Sequence, residues 1–230
     1  PEMTIYYAQK DKEMLVKSIS RGMRMMTVFT IIPDALLIAF GTQFFRLWMP
    51  GQNAQQLCVL AVMCVINTVV SGPIQHSPVW VLPIITANII NEVTVGDANC
   101  WRNMIIYGII SFLLTLAVLE VTDLGIYAIV GVSTICSLLV NFIFTIPFSA
   151  RYLDLRWNIF FKDVFKSILL TVVLVAVNAI VSHMILCDTW LKLILTGGVC
   201  AVIDFIINIY ILLEKTERVR LINMMLRRKS

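Results

Sequence analysis

Two carboxylates, Asp34 and Asp204, stand in the middle of long runs that hold no other charged residue. Asp34 lies in "RMMTVFTIIPDALLIAFGTQFFR", ten residues after Arg24, which puts it about 15 Å along a helix from that arginine. Asp204 lies ten residues before Glu214, at a similar depth. An ionised carboxylate at the centre of a bilayer costs about 2.5–3.5 kcal/mol even on insertion scales, so such a group faces a water-filled cavity, finds a partner or holds a proton. The chemistry open to both is therefore binding of a proton, a cation or a polar cargo. For Asp34 two structural roles compete with this. Pro33 removes a hydrogen bond from the Phe29 carbonyl, so Pro33 and Asp34 together can form a kink in which a protonated carboxyl donates to a freed carbonyl. Asp34 can also make a polar contact with a neighbouring helix. For Asp204 the competing role is a local pair with Asn208, one turn away.

The remaining polar candidates are fewer. Gln75 and His76 lie between two further prolines, Pro73 and Pro78, in "SGPIQHSPVW", and either line a pathway or satisfy a broken helix. Arg24 and Arg46 can contact a diphosphate, or extend to lipid headgroups as arginines at helix ends do. Gly125, Ala128 and Gly131 form a small-residue stripe suited to close helix packing. Nothing in the chain matches a hydrolase, zinc-protease, phosphate-loop or dinucleotide motif, so catalysis is not expected. The six cysteines form no C-x-x-C pair and read as small packing residues, and no metal or other cofactor is expected. The net charge of +4 does not form a basic face interleaved with aromatics, which argues against nucleic acid as a partner.

The elements that position these residues follow from composition. The 230 residues are 59% hydrophobic and 14% charged, against about a quarter charged in a soluble domain. Windows 25–45, 47–91, 103–119, 124–150, 167–187 and 193–213 contain no Lys or Arg, and most approach the roughly 20 residues that cross a bilayer. Window 47–91 is long enough to cross once or twice, and the basic residues decide. One crossing puts 16 Lys and Arg on the side of the termini and 2, Arg46 and Lys192, on the other; two crossings give 6 and 12. The positive-inside rule selects one crossing, hence an all-α polytopic membrane bundle of six spans with both ends cytoplasmic. The second span is then a helix over about 55–84 kinked near Pro73 and Pro78. Leu15, Ile19 and Met23 repeat at intervals of four, as on one face of a helix lying on or entering the cytoplasmic surface. The basic tail 214–230 reads as a positive-inside stop that also suits anionic lipid. "EVTDLG" and "CDTWLK" read as short external turns, and 149–166 as a longer cytoplasmic linker.

Several stretches taken in order carry a resemblance. "YYAQKDKEMLVKSISRGMRM", "IIP" before an apolar run, "LWMPGQNAQQLCVL", "SGPIQ" and "TDLGIYAIVGVSTICSLLVN" resemble the C-terminal half of bacterial oligosaccharide flippases. These belong to the multidrug/oligosaccharidyl-lipid/polysaccharide exporter superfamily, and the similarity is greatest to its O-antigen and capsule flippases. It covers about residues 1–165, while the last two spans match in number and position. In "PIITANIINEVTVGDANC", Glu92 and Asp97 stand where relatives carry basic residues after a polar stretch like Thr86 and Asn88, a departure that weakens the case for a cationic diphosphate contact there.

The resemblance implies the C-terminal lobe of a MATE-like exporter fold, with 1–148 its last four spans and 149–230 an additional helix pair. It also implies an N-terminal lobe elsewhere in the same chain, consistent with a sequence that begins at Pro1. The implied activity is flipping of undecaprenyl-diphosphate-linked oligosaccharide across the bacterial cytoplasmic (inner) membrane by alternating access. The implied partners are that lipid-linked substrate, membrane lipids, the other lobe, and a polysaccharide polymerase or glycosyltransferases. Two alternatives stand beside it: a cation-coupled multidrug exporter of the same superfamily, with Asp34 or Asp204 as its coupling carboxylate, and a non-transporting scaffold of polysaccharide assembly.

Overall fold

A computed structural model of the chain describes residues 5–6, 9–75, 94–147, 150 and 156–219, with side chains at 72–75 and 94–104 outside the description. The described residues form six long helices and no strand: α1 Lys12–Trp48, α2 Ala54–Gln75, α3 Thr94–Val121, α4 Ile126–Val140, α5 Phe161–Met184 and α6 Trp190–Leu212. A π-helical turn, Asn141–Thr145, extends α4. Five helical segments are long and apolar enough to cross a membrane: Lys12–Trp48, Ala54–Ser71, Ile126–Thr145, Phe161–Met184 and Trp190–Leu212. The apolar part of α3 with described side chains, Ile105–Val121, is shorter.

Large apolar side chains cover the outside of the bundle. On α3 alone Ile105, Ile109, Ile110, Phe112 and Leu113 are each more than half exposed. A water-soluble monomer rarely shows contiguous apolar surface on this scale, whereas hydrocarbon accepts it and requires the internal backbone hydrogen bonding that helices supply. The architecture is that of a helical membrane bundle.

The longest helix is also the central one. Asp11 caps its start, accepting a hydrogen bond from the Met14 amide at 3.1 Å. Its 37 residues extend about 55 Å, well beyond a hydrocarbon core of about 30 Å. It packs against α2, α5 and α6, while α4 packs on α2, and α3 on α4. The face carrying Leu15, Ile19 and Met23 belongs to this same continuous helix. Its cover is protein: the three residues are buried with Val70, Ile146, Phe160 and Val164. A second cluster joins Val28, Ile31 and Ala35 of α1 to Leu170 and Leu174 of α5 and to Leu212 and Leu213 at the end of α6.

Small residues set two of the close approaches. At Gly41 of α1, an added Cβ would stand 2.8 Å from Cys58 Sγ of α2, and at Gly131 of α4 it would stand 3.0 Å from Met63 Cε. Ala128 is buried as well, so Ala128 and Gly131 of the small-residue stripe face packed neighbours. Gly125 serves the turn before α4, with φ +54°. The second expected turn is closed by Thr189, whose hydroxyl accepts from the Lys192 amide at the start of α6.

Candidate functional site

Asp34 sits one residue beyond Pro33 on a helix that continues through both. It is half-buried on the seam between α1 and α2. The Thr68 hydroxyl lies 3.3 Å from Asp34 Oδ1 and 2.7 Å from the Val65 carbonyl oxygen. A hydroxyl has one proton to donate. The shorter contact takes it, and Oδ1 is left weakly satisfied; Oδ2 is buried with no hydrogen-bond partner among the described residues. The polar group that α2 brings toward Asp34 is this Thr68 hydroxyl. Around it the surface is open: Pro33, Phe29 and Met26 of α1 and Thr68 and Cys64 of α2 are exposed. The opposite edge of α2 is taken by α4, where Ser137 Oγ donates to Asn67 Oδ1 at 2.8 Å and Thr134 Oγ1 to the Met63 carbonyl at 3.2 Å.

Asp204 occupies a different environment. Its side chain is 0% exposed, enclosed between α6, α5 and α1. Its partner is Asn178 of α5, whose Nδ2 donates to Oδ2 at 2.7 Å. Asn208, one turn further along α6, turns its Nδ2 toward the Val28 carbonyl of α1 at 3.3 Å. Pro33 stands five residues after Val28, whose carbonyl therefore keeps its place in the helix and accepts a second donor.

The two arginines are placed differently. Arg24 is held in a carboxylate cluster: Nε and Nη2 donate to Glu217 Oε2 at 3.3 Å and Oε1 at 2.6 Å, Glu214 lies 3.5 Å from Nη2, and Asp163 lies 3.9 Å from Nη1. Arg21 joins at 3.6 Å from Glu217. This is the two-pronged geometry that makes arginine–carboxylate pairs strong. Arg46 is exposed in the last turn of α1. Of the two further prolines, Pro73 lies within α2, which runs on to Gln75. The side chains of Pro73 and Gln75, and His76 and Pro78 altogether, lie outside the described residues.

Four polar residues carry little signal in the sequence: Thr68, Asn178 and Glu217, which contact candidates, and Gln43, which ties α1 to the end of α5 and the turn after it. Gln43 of α1 donates from Nε2 to the Ser182 carbonyl at 3.0 Å and accepts from the Cys187 amide at 3.3 Å. Asn178 carries the clearest signal of the four, since an amide inside "LVAVNAIV" needs a polar partner. Among the described residues no group of three or more His, Cys, Asp or Glu is placed to hold a metal ion. Comparison of the chain with family profiles, curated proteins and solved structures finds no match.

Proposed function

We propose that this chain forms part of a transporter that carries a polar, lipid-linked cargo across the cytoplasmic membrane of a bacterium. The cargo is an oligosaccharide on undecaprenyl diphosphate, as the resemblance to oligosaccharide flippases implies. The observation that carries the reading is Asp34: a mid-depth carboxyl with unused acceptor capacity, on a seam whose open face is shared with Thr68 and Cys64. Sugar hydroxyls are donors, and an under-satisfied carboxyl oxygen is a natural acceptor for them. In this reading α3 is a sixth span, both ends of the chain lie in the cytoplasm, and a second lobe packs opposite the Asp34 face so that the two rock against each other.

The decisive experiment uses the complete protein in its own cell. Depletion leads to accumulation of lipid-linked oligosaccharide on the cytoplasmic leaflet, and replacement by the Asp34→Asn variant at equal abundance gives the same accumulation. Normal export on depletion eliminates the flippase reading; normal export by the variant removes Asp34 from the pathway. Cys64 supplies an independent check. In a background with the other cysteines replaced, a charged thiol reagent modifies Cys64 if its face borders water and leaves it intact if that face meets lipid.

A further inference from the structure

The cluster around Asp204 is distinct from the proposed pathway. Two of its acceptor atoms, Asp204 Oδ1 and Asn208 Oδ1, are buried without a hydrogen-bond partner among the described residues, on side chains that are both 0% exposed. They belong to residues four apart on one helix, which stand over one another on the same face. Their companion atoms are already committed, Asp204 Oδ2 to Asn178 and Asn208 Nδ2 to the Val28 carbonyl. Buried acceptors are almost always satisfied, so two orphans one helical turn apart on the same face point to one shared donor.

We infer that Asp204 holds a proton in the folded bundle and donates it from Oδ1 to Asn208 Oδ1. A continuous chain results. Asn178 donates to Asp204, Asp204 to Asn208, and Asn208 to the Val28 carbonyl, so that one proton completes a clamp joining α5, α6 and α1. The surroundings favour the neutral acid. Asn178 on α5 is uncharged and 1% exposed, and the nearest titratable residue on that helix, His183, is exposed. On α6 the neighbour one turn back is the buried thiol Cys200. On α1 the charged groups on either side of Val28 are Arg24, engaged with Glu217, and Asp34, beside Thr68. No cation lies within ion-pair distance of Asp204 among the described residues, and an ionised carboxylate buried without one is strongly disfavoured. A dehydrated metal cation would need more oxygen ligands than the two left open.

The test is made on the complete protein in lipid nanodiscs. Infrared spectroscopy at neutral pH shows the carbonyl stretch of a protonated carboxyl, and Asp204→Asn removes it. Asp204→Asn, whose amide can donate to Asn208 in place of the acid, keeps the wild-type melting temperature; Asp204→Ala and Asn208→Leu both lower it by several degrees. Because the clamp needs the proton, the wild type loses stability as pH rises and Asp204→Asn does not. Three results overturn the inference: no Asp204-dependent protonated-carboxyl band; Asp204→Asn as unstable as Asp204→Ala; or a wild type stabilised by sodium relative to choline, with the effect lost in Asp204→Asn, which would make the site a cation site.

Discussion

Arg24 Nη2 lies 2.6 Å from Glu217 Oε1, so the N-terminal half of α1 is tied to the segment that follows α6. Glu217 is 5% exposed and its other oxygen takes both Arg24 Nε and the Glu214 amide, which leaves the pair no slack. Removing Glu217 takes the two-pronged partner from Arg24 but leaves Glu214 at 3.5 Å and Asp163 at 3.9 Å, so the loss is that of charge-assisted hydrogen bonds and not of a wholly uncompensated buried charge. Glu217→Ala is therefore expected to destabilise the bundle by about 1.5–3 kcal/mol. Arg24→Ala costs a comparable amount, and the double variant costs less than the sum of the two. Additive losses in detergent-unfolding measurements would show that the two side chains act independently.

Gly41 and Gly131 separate a rigid contact from a compliant one. A methyl at Gly41 meets Cys58 Sγ at 2.8 Å, close to the α2 backbone, while a methyl at Gly131 meets the far end of the flexible Met63 side chain at 3.0 Å. Overpacking of the first kind costs about 1–3 kcal/mol. Gly41→Ala lowers the melting temperature, and adding Cys58→Ala restores most of it, whereas Gly131→Ala is close to neutral. A Gly41→Ala variant that Cys58→Ala fails to rescue would place the clash elsewhere.

At the other end of α1, Gln43 fastens the turn between α5 and α6 by donating to Ser182 and accepting from the Cys187 amide. Gln43→Ala leaves half-buried backbone groups unpaired, a loss of about 1–3 kcal/mol. The expected signature is local. Hydrogen exchange at Cys187 accelerates while amides in the middle of α5 keep their protection, and uniform acceleration along α5 would assign Gln43 a global role.

The six-span reading fixes the side of every loop. In intact cells, an impermeant thiol reagent is expected to label Asp123→Cys and Lys192→Cys from outside, and Lys162→Cys only after permeabilisation. If 47–91 crosses the membrane twice, all three positions change sides, and the labelling pattern reverses.

The sequence made the helices legible because each apolar window ends in charge, and it exposed Asp34 and Asp204 because a lone carboxylate in such a window needs a reason. Partners were harder to read. Asn208, one turn away, is a candidate mate for Asp204 that the sequence offers, but Asn178, 26 residues distant on α5, donates to Asp204 Oδ2 and is not marked by local spacing, while tertiary packing turns the Asn208 amide nitrogen toward Val28. The Leu15, Ile19 and Met23 face was visible as a period of four, but lipid and protein are equally apolar and periodicity cannot tell which covers it. That face meets Phe160 and Val164, contributed by a segment far along the chain. The Arg24 pair was beyond local reasoning altogether, since its partner is 193 residues away.

That separation has a consequence for biogenesis. α1 leaves the ribosome long before α5 and α6, yet Arg24 waits for Glu217 and Gln43 for Ser182. At roughly 5–20 residues per second, 193 residues is about ten seconds or more of synthesis before Arg24 can meet Glu217. A chain stopped after α4 never acquires those partners. Its α1 also lacks the cover that Phe160, Val164, Leu170 and Leu174 give, so truncation there is expected to produce rapid degradation and not a smaller stable bundle.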